Sequence, residues 1–450
     1  MRRGLLVVLI CAASVPARAD EAPPPAAVAT PPGAAEEAPS PKRTLPDYDG
    51  RPEPGATPGE VLVWAPRIAL FPAWLVAEFV IRRPLGLLVV TAERGNWPSE
   101  IISFFTFGNS NVGIVPTFFV DFGFRPFFGL YFFYDSDGAY SLRVRGSATL
   151  DGYSAAVANR WKTDAAGSRL QVQADVLRKP DRAFYGIGPR TLDSDLARYG
   201  LFRAGGSARY DWYITRGVHL AGEFDLHTND FKEPRCCDQN EVRVADLPVL
   251  PPGFPDGFTT LAEHVEAIFD SRPPRPEPQT GARLRLAFEH VNDIRGDNSW
   301  IRATGTLGGF LDMGRARIVG LTVTAALADA ISGEIPFPEL ISFGGTGLAM
   351  PGLRTDRLYG ESALSASLRY EWPIWVLLAG TLQVECGNVF GHNFDGIDAD
   401  DLRLSVVFGF RTTNSPDHAF QVLLGVGTET FGQGAALTSF RLAIGGTYGF

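Results

Sequence analysis

From about residue 112 to the C-terminus, polar and apolar positions alternate along the chain. Gln171, Gln173 and Asp175 alternate with Val172, Ala174 and Val176. Arg283, Arg285 and Glu289 alternate with Leu284, Leu286 and Phe288. Ser365, Ser367, Arg369 and Glu371 alternate with Leu364, Ala366, Leu368, Tyr370 and Trp372. Thr381, Gln383 and Glu385 do so with Leu382, Val384 and Cys386, and Arg403, Ser405 and Arg411 with Leu402, Leu404, Val406, Phe408 and Phe410. A period of two puts successive side chains on opposite faces of a strand. A soluble sandwich also has one apolar face. Here, however, the pattern recurs in segments of about ten residues, the length that crosses a bilayer at a tilt. The polar face carries many Arg, Glu and Gln side chains, which cost little in a wet lumen and much against lipid.

Only helices and closed barrels satisfy their backbone in hydrocarbon, so alternating strands in a membrane imply closure. Roughly 340 residues, at about twenty per strand and turn, give about sixteen strands. The expected fold is therefore all-β: a transmembrane antiparallel barrel over 112–450. Aromatics near strand ends (Phe118-Phe119, Phe127-Phe128, Tyr131 to Tyr134, Trp372 and Trp375) read as interfacial girdles. Two stretches, from about His227 to Leu261 and from about Asp329 to Gly360, are too long for turns and read as outer loops.

The chain before the barrel divides in three. Residues 1–19 read as an export signal: a basic Met1-Arg2-Arg3, an apolar run from Gly4 to Ala13, and Ala17-Arg18-Ala19 before a cleavage point at Asp20. Residues 20–60 are rich in Pro, Ala and Glu and lack large apolar side chains, the composition of a disordered tether. Residues 61–111 contain an apolar run that looks like a membrane helix. Glu78, Arg82 and Arg83 would each cost ~3 kcal/mol at the bilayer centre, against a return of only ~0.5 per large apolar residue. Pro72 and Pro84 also break the run. A short helical segment inside or beneath the barrel, at the interface, or in an ordinary core fits better.

The formal net charge of −9 argues against a nucleic-acid partner. After the signal only Cys236, Cys237 and Cys386 remain, which is no disulfide framework. Adjacent Cys236-Cys237 reads as two incidental loop thiols, with a strained vicinal disulfide or a metal site as the alternatives; no His stands at ligand spacing, so no metal is expected there. The six histidines form no Ser-His-Asp or HExxH arrangement, and the chain carries no phosphate loop or GxSxG. No enzymatic activity and no cofactor is expected.

The last strand places Phe440, Leu442, Ile444, Tyr448 and Phe450 on one face. Gly445, Tyr448 and the terminal Phe450 resemble the C-terminal signal by which outer-membrane barrels are recognised for assembly. Four further segments carry a wider resemblance. Phe184 to Thr191 is similar to an FyGxGxxT segment, and Phe269-Asp270-Ser271-Arg272 with Gly281 to a yDxRd…G signature. Phe343-Gly344-Gly345 through Gly352-Leu353-Arg354 is similar to a large loop that folds back into the barrel. Ser367 to Pro373 and Glu385-Cys386-Gly387-Asn388-Val389-Phe390 are similar to the two strands that follow it. In this order the segments resemble the surface-antigen or BamA/TamA superfamily of outer-membrane barrels, over about 112–450.

The resemblance implies a cell outer-membrane location of the Gram-negative type, surrounding lipid, and barrel-assembly machinery for the chain's own insertion. It also implies a role in inserting or translocating a substrate, with the client unspecified. In the family the loop carries V-R-G-F/Y, whose Arg meets two carboxylates on the lumen wall. Here Pro351 replaces that Arg, and the wall positions align with Arg369 and Glu385. The expectation is that Arg369 and Glu385 pair across neighbouring strands, with Arg354, Asp356 or Arg357 docking the loop on them. Residues 20–111 are too short and Pro-rich for the family's periplasmic repeats, which makes this a barrel-only member. The mechanism implied is a weak seam between first and last strands, softened by Gly445, Gly446 and Gly449, together with the loop as plug or gate. The competing reading is a passive pore or surface antigen without assembly activity, favouring anions through Arg143, Arg145, Arg283, Arg285, Arg403 and Arg411.

Overall fold

Each alternating segment becomes a strand hydrogen-bonded to its neighbour in sequence, and the series closes on itself. A computed structural model describes residues 83–95, 103–108, 111–136, 138–235, 242–273, 279–375, 378–412 and 418–448, with isolated positions at 71, 75, 78–79 and 100. The export signal, the tether, Cys236, Cys237 and Phe450 lie outside the described residues. Pro98–Phe450 fall in one compact unit and Ser14–Trp97 in another. The second unit contains a helix, α1 (Arg83–Arg94), within the segment expected to be helical.

The sixteen barrel strands are β1 (Val112–Asp121), β2 (Phe127–Ser136), β3 (Tyr140–Ala148), β4 (Tyr153–Lys162), β5 (Arg169–Phe184), β6 (Ala197–Thr215), β7 (Val218–Lys232), β8 (Phe258–Asp270), β9 (Gly281–Asp293), β10 (Asn298–Asp312), β11 (Ile318–Ser332), β12 (Ser362–Trp375), β13 (Leu378–Phe390), β14 (Arg403–Thr412), β15 (His418–Thr428) and β16 (Leu437–Tyr448). Sequential strands pair antiparallel, and β16 returns to β1. Among the described residues, no helix is long and apolar enough to cross a membrane.

Burial inverts the order of a soluble protein. Phe128, Phe224, Leu307 and Leu368 are each more than half exposed on the outer face. Thr117, Asp121, Ser365 and Glu385 are buried on the inner one. An apolar outer band over a polar interior is what lipid outside and water inside select. The expected parity holds in the segments read from sequence, with three corrections. Strands reach nineteen residues in β6, so β7 continues past His227 to Lys232, β8 begins before Leu261 and β11 continues to Ser332. The two long loops shrink to 233–257 and 333–361. In the aromatic run of β2, Tyr131 and Phe133 turn inward, nearly buried, and pack with Val115 and Phe105. Only Phe132 and Tyr134 can serve the girdle, because strand parity splits the run between faces.

One end of the barrel has short turns, at 163–168, 216–217 and 313–317 among others. The opposite end carries the long loops. There an apolar core fills the inside. Phe337, Phe343, Met350, Leu353, Leu358 and Tyr359 of the 333–361 loop pack against wall residues such as Tyr199, Trp300, Ala326 and Val389. Within this loop a two-stranded ribbon, Ile341–Phe343 against Leu358–Gly360, holds the ends of a return turn.

Candidate functional site

The joint between β1 and β16 differs from the rest. Its ladder spans three residues, Phe119 opposite Gly445, Val120 opposite Ile444 and Asp121 opposite Ala443. Elsewhere ladders run from seven residues (β14 with β15) to fifteen (β6 with β7). A further bond from the Phe122 N–H to the Leu442 carbonyl, 3.0 Å, closes its upper end. Lower on the same edge of β1, a short strand Thr106–Phe107 pairs with Gly113 and Val112. Among the described residues, positions 114–118 have no strand opposite them on that edge, and Pro116 has no N–H to offer. Gly445 is required here. Its φ is +138°, and a Cβ would lie 2.3 Å from the Phe118 carbonyl oxygen.

Side chains lock what the backbone leaves thin. Arg441 of β16 donates from Nε to Asp121 Oδ1 at 2.8 Å and from Nη2 to Oδ2 at 3.0 Å. Both residues are almost wholly buried. A bidentate, charge-assisted pair of this kind fixes geometry as well as energy. The 333–361 loop grips both partners: Thr355 Oγ1 donates to Asp121 Oδ2 at 2.6 Å, and Arg441 Nη1 donates to the Pro351 carbonyl at 3.1 Å. The seam and the loop thus share one polar cluster.

The loop lies along the inner faces of β13 to β16 through its backbone. The Met350 N–H donates to Glu385 Oε2 at 3.0 Å, the Gly352 N–H to Ser405 Oγ at 2.8 Å, and the Arg354 N–H to Ser439 Oγ at 3.0 Å. Glycine permits the approach. A Cβ on Gly352 would stand 2.6 Å from the Val426 carbonyl, and one on Gly425 would stand 2.6 Å from the Gly352 Cα. The turn into the loop needs Gly344 (φ +115°) and Gly345 (φ +61°), where a Cβ would collide with the Arg354 carbonyl and Thr355. Gly387 keeps β13 close to β12, since a Cβ there would meet the Leu364 carbonyl at 2.4 Å.

The charged side chains of the loop point to the mouth. Arg357, 1% exposed, donates from Nη2 to Glu429 Oε2 at 3.1 Å and to the Thr191 carbonyl at 2.8 Å, with its guanidinium over the Tyr185 ring. Arg403 bonds the same Glu429. Arg182 holds Asp356 in a fork of 3.1 and 3.0 Å, and Arg354 lies 3.6 Å from Asp193. Burial alone would raise the Glu429 pKa. The Arg357 charge and the Arg403 hydrogen bond outweigh it and hold the carboxyl below its usual range.

The Arg369–Glu385 pair expected from sequence does not form. Register sets Gln383 opposite Arg369 and Ser367 opposite Glu385. Arg369 faces Glu371 at 3.5 Å, while Gln383 Nε2 donates to Glu385 at 3.0 Å. Glu385 does anchor the loop, but through the Met350 amide. Arg357 docks the loop as a charge, on Glu429 rather than on Arg369 or Glu385. The guanidinium that meets the loop where Pro351 stands comes from the wall, as Arg441. Sequence reading passed over Arg441, although it is the one charge between Phe440 and Ile444 and parity turns it inward. Asp121, at the end of the first strand, carries the same signal. Tyr448 ends β16 opposite His418.

No family model matches the chain, and no curated protein matches it. Among solved structures it is similar to BamA from Haemophilus ducreyi lacking POTRA domains 1–3, with 13% identity, a TM-score of 0.53, and coverage of 74% of this chain and 70% of that one. It is also similar to CdiB from Acinetobacter baumannii (13% identity, TM-score 0.46, coverage 74% and 60%) and to the outer membrane protein OprD from Pseudomonas aeruginosa (12% identity, TM-score 0.34, coverage 74% and 91%). At these identities the likeness is one of fold.

Proposed function

We propose, on the premise that this chain has the BamA-like fold of an outer-membrane β-barrel, that it is a non-enzymatic barrel whose β1–β16 seam opens sideways to pass a polypeptide or other substrate between lumen and lipid. The observation that carries this is the length of the seam. Parting any other joint would leave seven or more residue pairs unbonded in hydrocarbon, where each unsatisfied group costs several kcal/mol. Parting the seam does so for three. The 333–361 loop serves as the gate, because its Thr355 and Pro351 hold the two residues that latch the seam. Gly445, Tyr448 and Phe450 serve as the signal read by the barrel-assembly machinery when the chain itself is inserted.

A passive, anion-favouring pore is the competing function. The apolar core at the long-loop end speaks against a permanently open channel, since it fills the mouth with Phe337, Phe343 and Tyr359. Depletion of the protein followed by quantitative outer-membrane proteomics tests the proposal. Selective loss of other barrels is the expected result. An unchanged proteome with altered permeability alone would overturn it in favour of the pore.

A further inference from the structure

Among the described residues, the wall away from the seam gathers five guanidiniums near the short-turn end around three carboxylates, with a fourth, Asp312 of β10, held by the backbone N–H groups of Gln279 and Gly314. Each of the three is shared. Glu266 of β8 is bonded by Arg285 of β9, and at 2.9 Å by Arg209 of β6. Asp270 takes a fork from Arg272, 2.9 and 2.7 Å, and has Arg283 at 3.8 Å. Glu371 of β12 is bonded by Arg411 of β14 and has Arg369 at 3.5 Å. Arg209 adds no surplus, because it and Arg169 face Asp211 and Glu223 on their own side. With Asp312 counted, the five arginines (272, 283, 285, 369, 411) exceed the four carboxylates Glu266, Asp270, Asp312 and Glu371 by one charge. The Arg283 Nε–H has no hydrogen-bond acceptor among the described residues.

The floor between these arginines is built to hold one of them in place. Gly308 faces Arg283 across β9–β10, and Gly320 faces Arg369 across β11–β12. The Phe310 ring lies over both glycines, so that a Cβ on either would come within 2.9 Å of it. The Arg272 guanidinium stacks on that ring, 4.2 Å from its centre. Two cationic banks, three strand spacings or about 14 Å apart, thus flank a third guanidinium held on an aromatic platform. All five side chains keep part of their surface open to the lumen. Guanidinium forks match phosphate oxygens.

We infer that this trough is a binding site for a phosphate group entering from the short-turn end. The site lies on β8 to β14, stands whether or not the seam opens, and could be filled by a free phosphate anhydride or by a phosphate headgroup of a lipid. The test is titration calorimetry on the full-length protein, folded in non-ionic micelles, with two probes: inorganic pyrophosphate, and phosphatidic acid added to the micelles. Saturable binding of one probe is expected, and which one binds assigns the source. Arg283→Gln and Arg369→Gln should each weaken it roughly tenfold or more. Arg145→Gln, on the lumen face of β3, should leave it unchanged. Circular dichroism verifies that each variant is folded. Phe310→Leu, which keeps every charge, should weaken binding by releasing Arg272. Absence of saturable binding by either probe would overturn the inference. So would an Arg145→Gln loss equal to that of Arg283→Gln, which would mean a diffuse lumen charge and no site.

Discussion

Arg441 of the last strand and Asp121 of the first, 320 residues apart in sequence, form a two-point ion pair of 2.8 and 3.0 Å across the shortest ladder of the barrel. Removing one member of a buried pair leaves the other charge unpaired, at a cost of about 3–5 kcal/mol. Asp121→Asn and Arg441→Gln should therefore loosen the seam locally. Hydrogen exchange should quicken at amides 119–122 and 442–445 while the β10–β11 joint keeps its protection. Exchanging the two side chains should restore only part of it, because Thr355 and Pro351 would then face the wrong partners.

Gly425 and Gly352 touch backbone to backbone, which lets the loop lie flat on β15. Gly425→Ala forces a methyl group into that contact. We expect a cost of about 1–3 kcal/mol, read as faster proteolysis within 341–360. Gly309→Ala is the control, since nothing lies within 4 Å of a Cβ there.

The anchorage of the loop at Glu429 should respond to acid in a defined direction. Burial pushes its pKa up, and the Arg357 charge and the Arg403 bond bring it below the ordinary range. A depressed folded-state value means that the contribution is complete above the unfolded value, ~4.3. It is lost only as pH falls through the lower, folded one. Limited proteolysis of the loop with an acid-active protease should find the wild type still protected at about pH 4. Glu429→Gln, which leaves Arg357 and Arg403 without their shared counter-ion, should be cleaved readily at every pH.

The fold was readable because lipid and water impose one rule on every strand. Leu364, Leu368 and Trp372 could only face out, and Ser365, Ser367 and Arg369 only in. The latch was not readable in the same way. Parity turns Asp121 and Arg441 inward, but it does not say that closure brings the two ends of the chain together at that height. The Arg369–Glu385 expectation failed for a related reason. Both side chains do face the lumen, yet a register offset of two residues gives each a different neighbour. Pattern fixes the face of a side chain, whereas register and loop path fix its partner. The segment Tyr131 to Tyr134 misled because an aromatic run suggests one environment, while a strand divides it between two.

The loop core should also be visible electrically. Reconstituted wild-type protein should carry little steady current, because Phe337, Phe343 and Tyr359 occupy the mouth. Deleting 341–360 should yield a steady current that favours anions, as expected of a lumen lined by arginines. A large, steady wild-type current would favour the pore.

The most direct test of lateral opening is a reversible lock on the seam. Val120→Cys with Ile444→Cys places two thiols on paired positions of β1 and β16, in a background where Cys236, Cys237 and Cys386 are serine. Leu368→Cys with Val384→Cys places the same pair on the β12–β13 joint. Oxidation of the seam pair should abolish rescue of the outer-membrane proteome in a depleted strain, and reduction should restore it, while the β12–β13 lock has no effect. If the oxidised seam supports rescue as fully as the control, the barrel does not work by opening there.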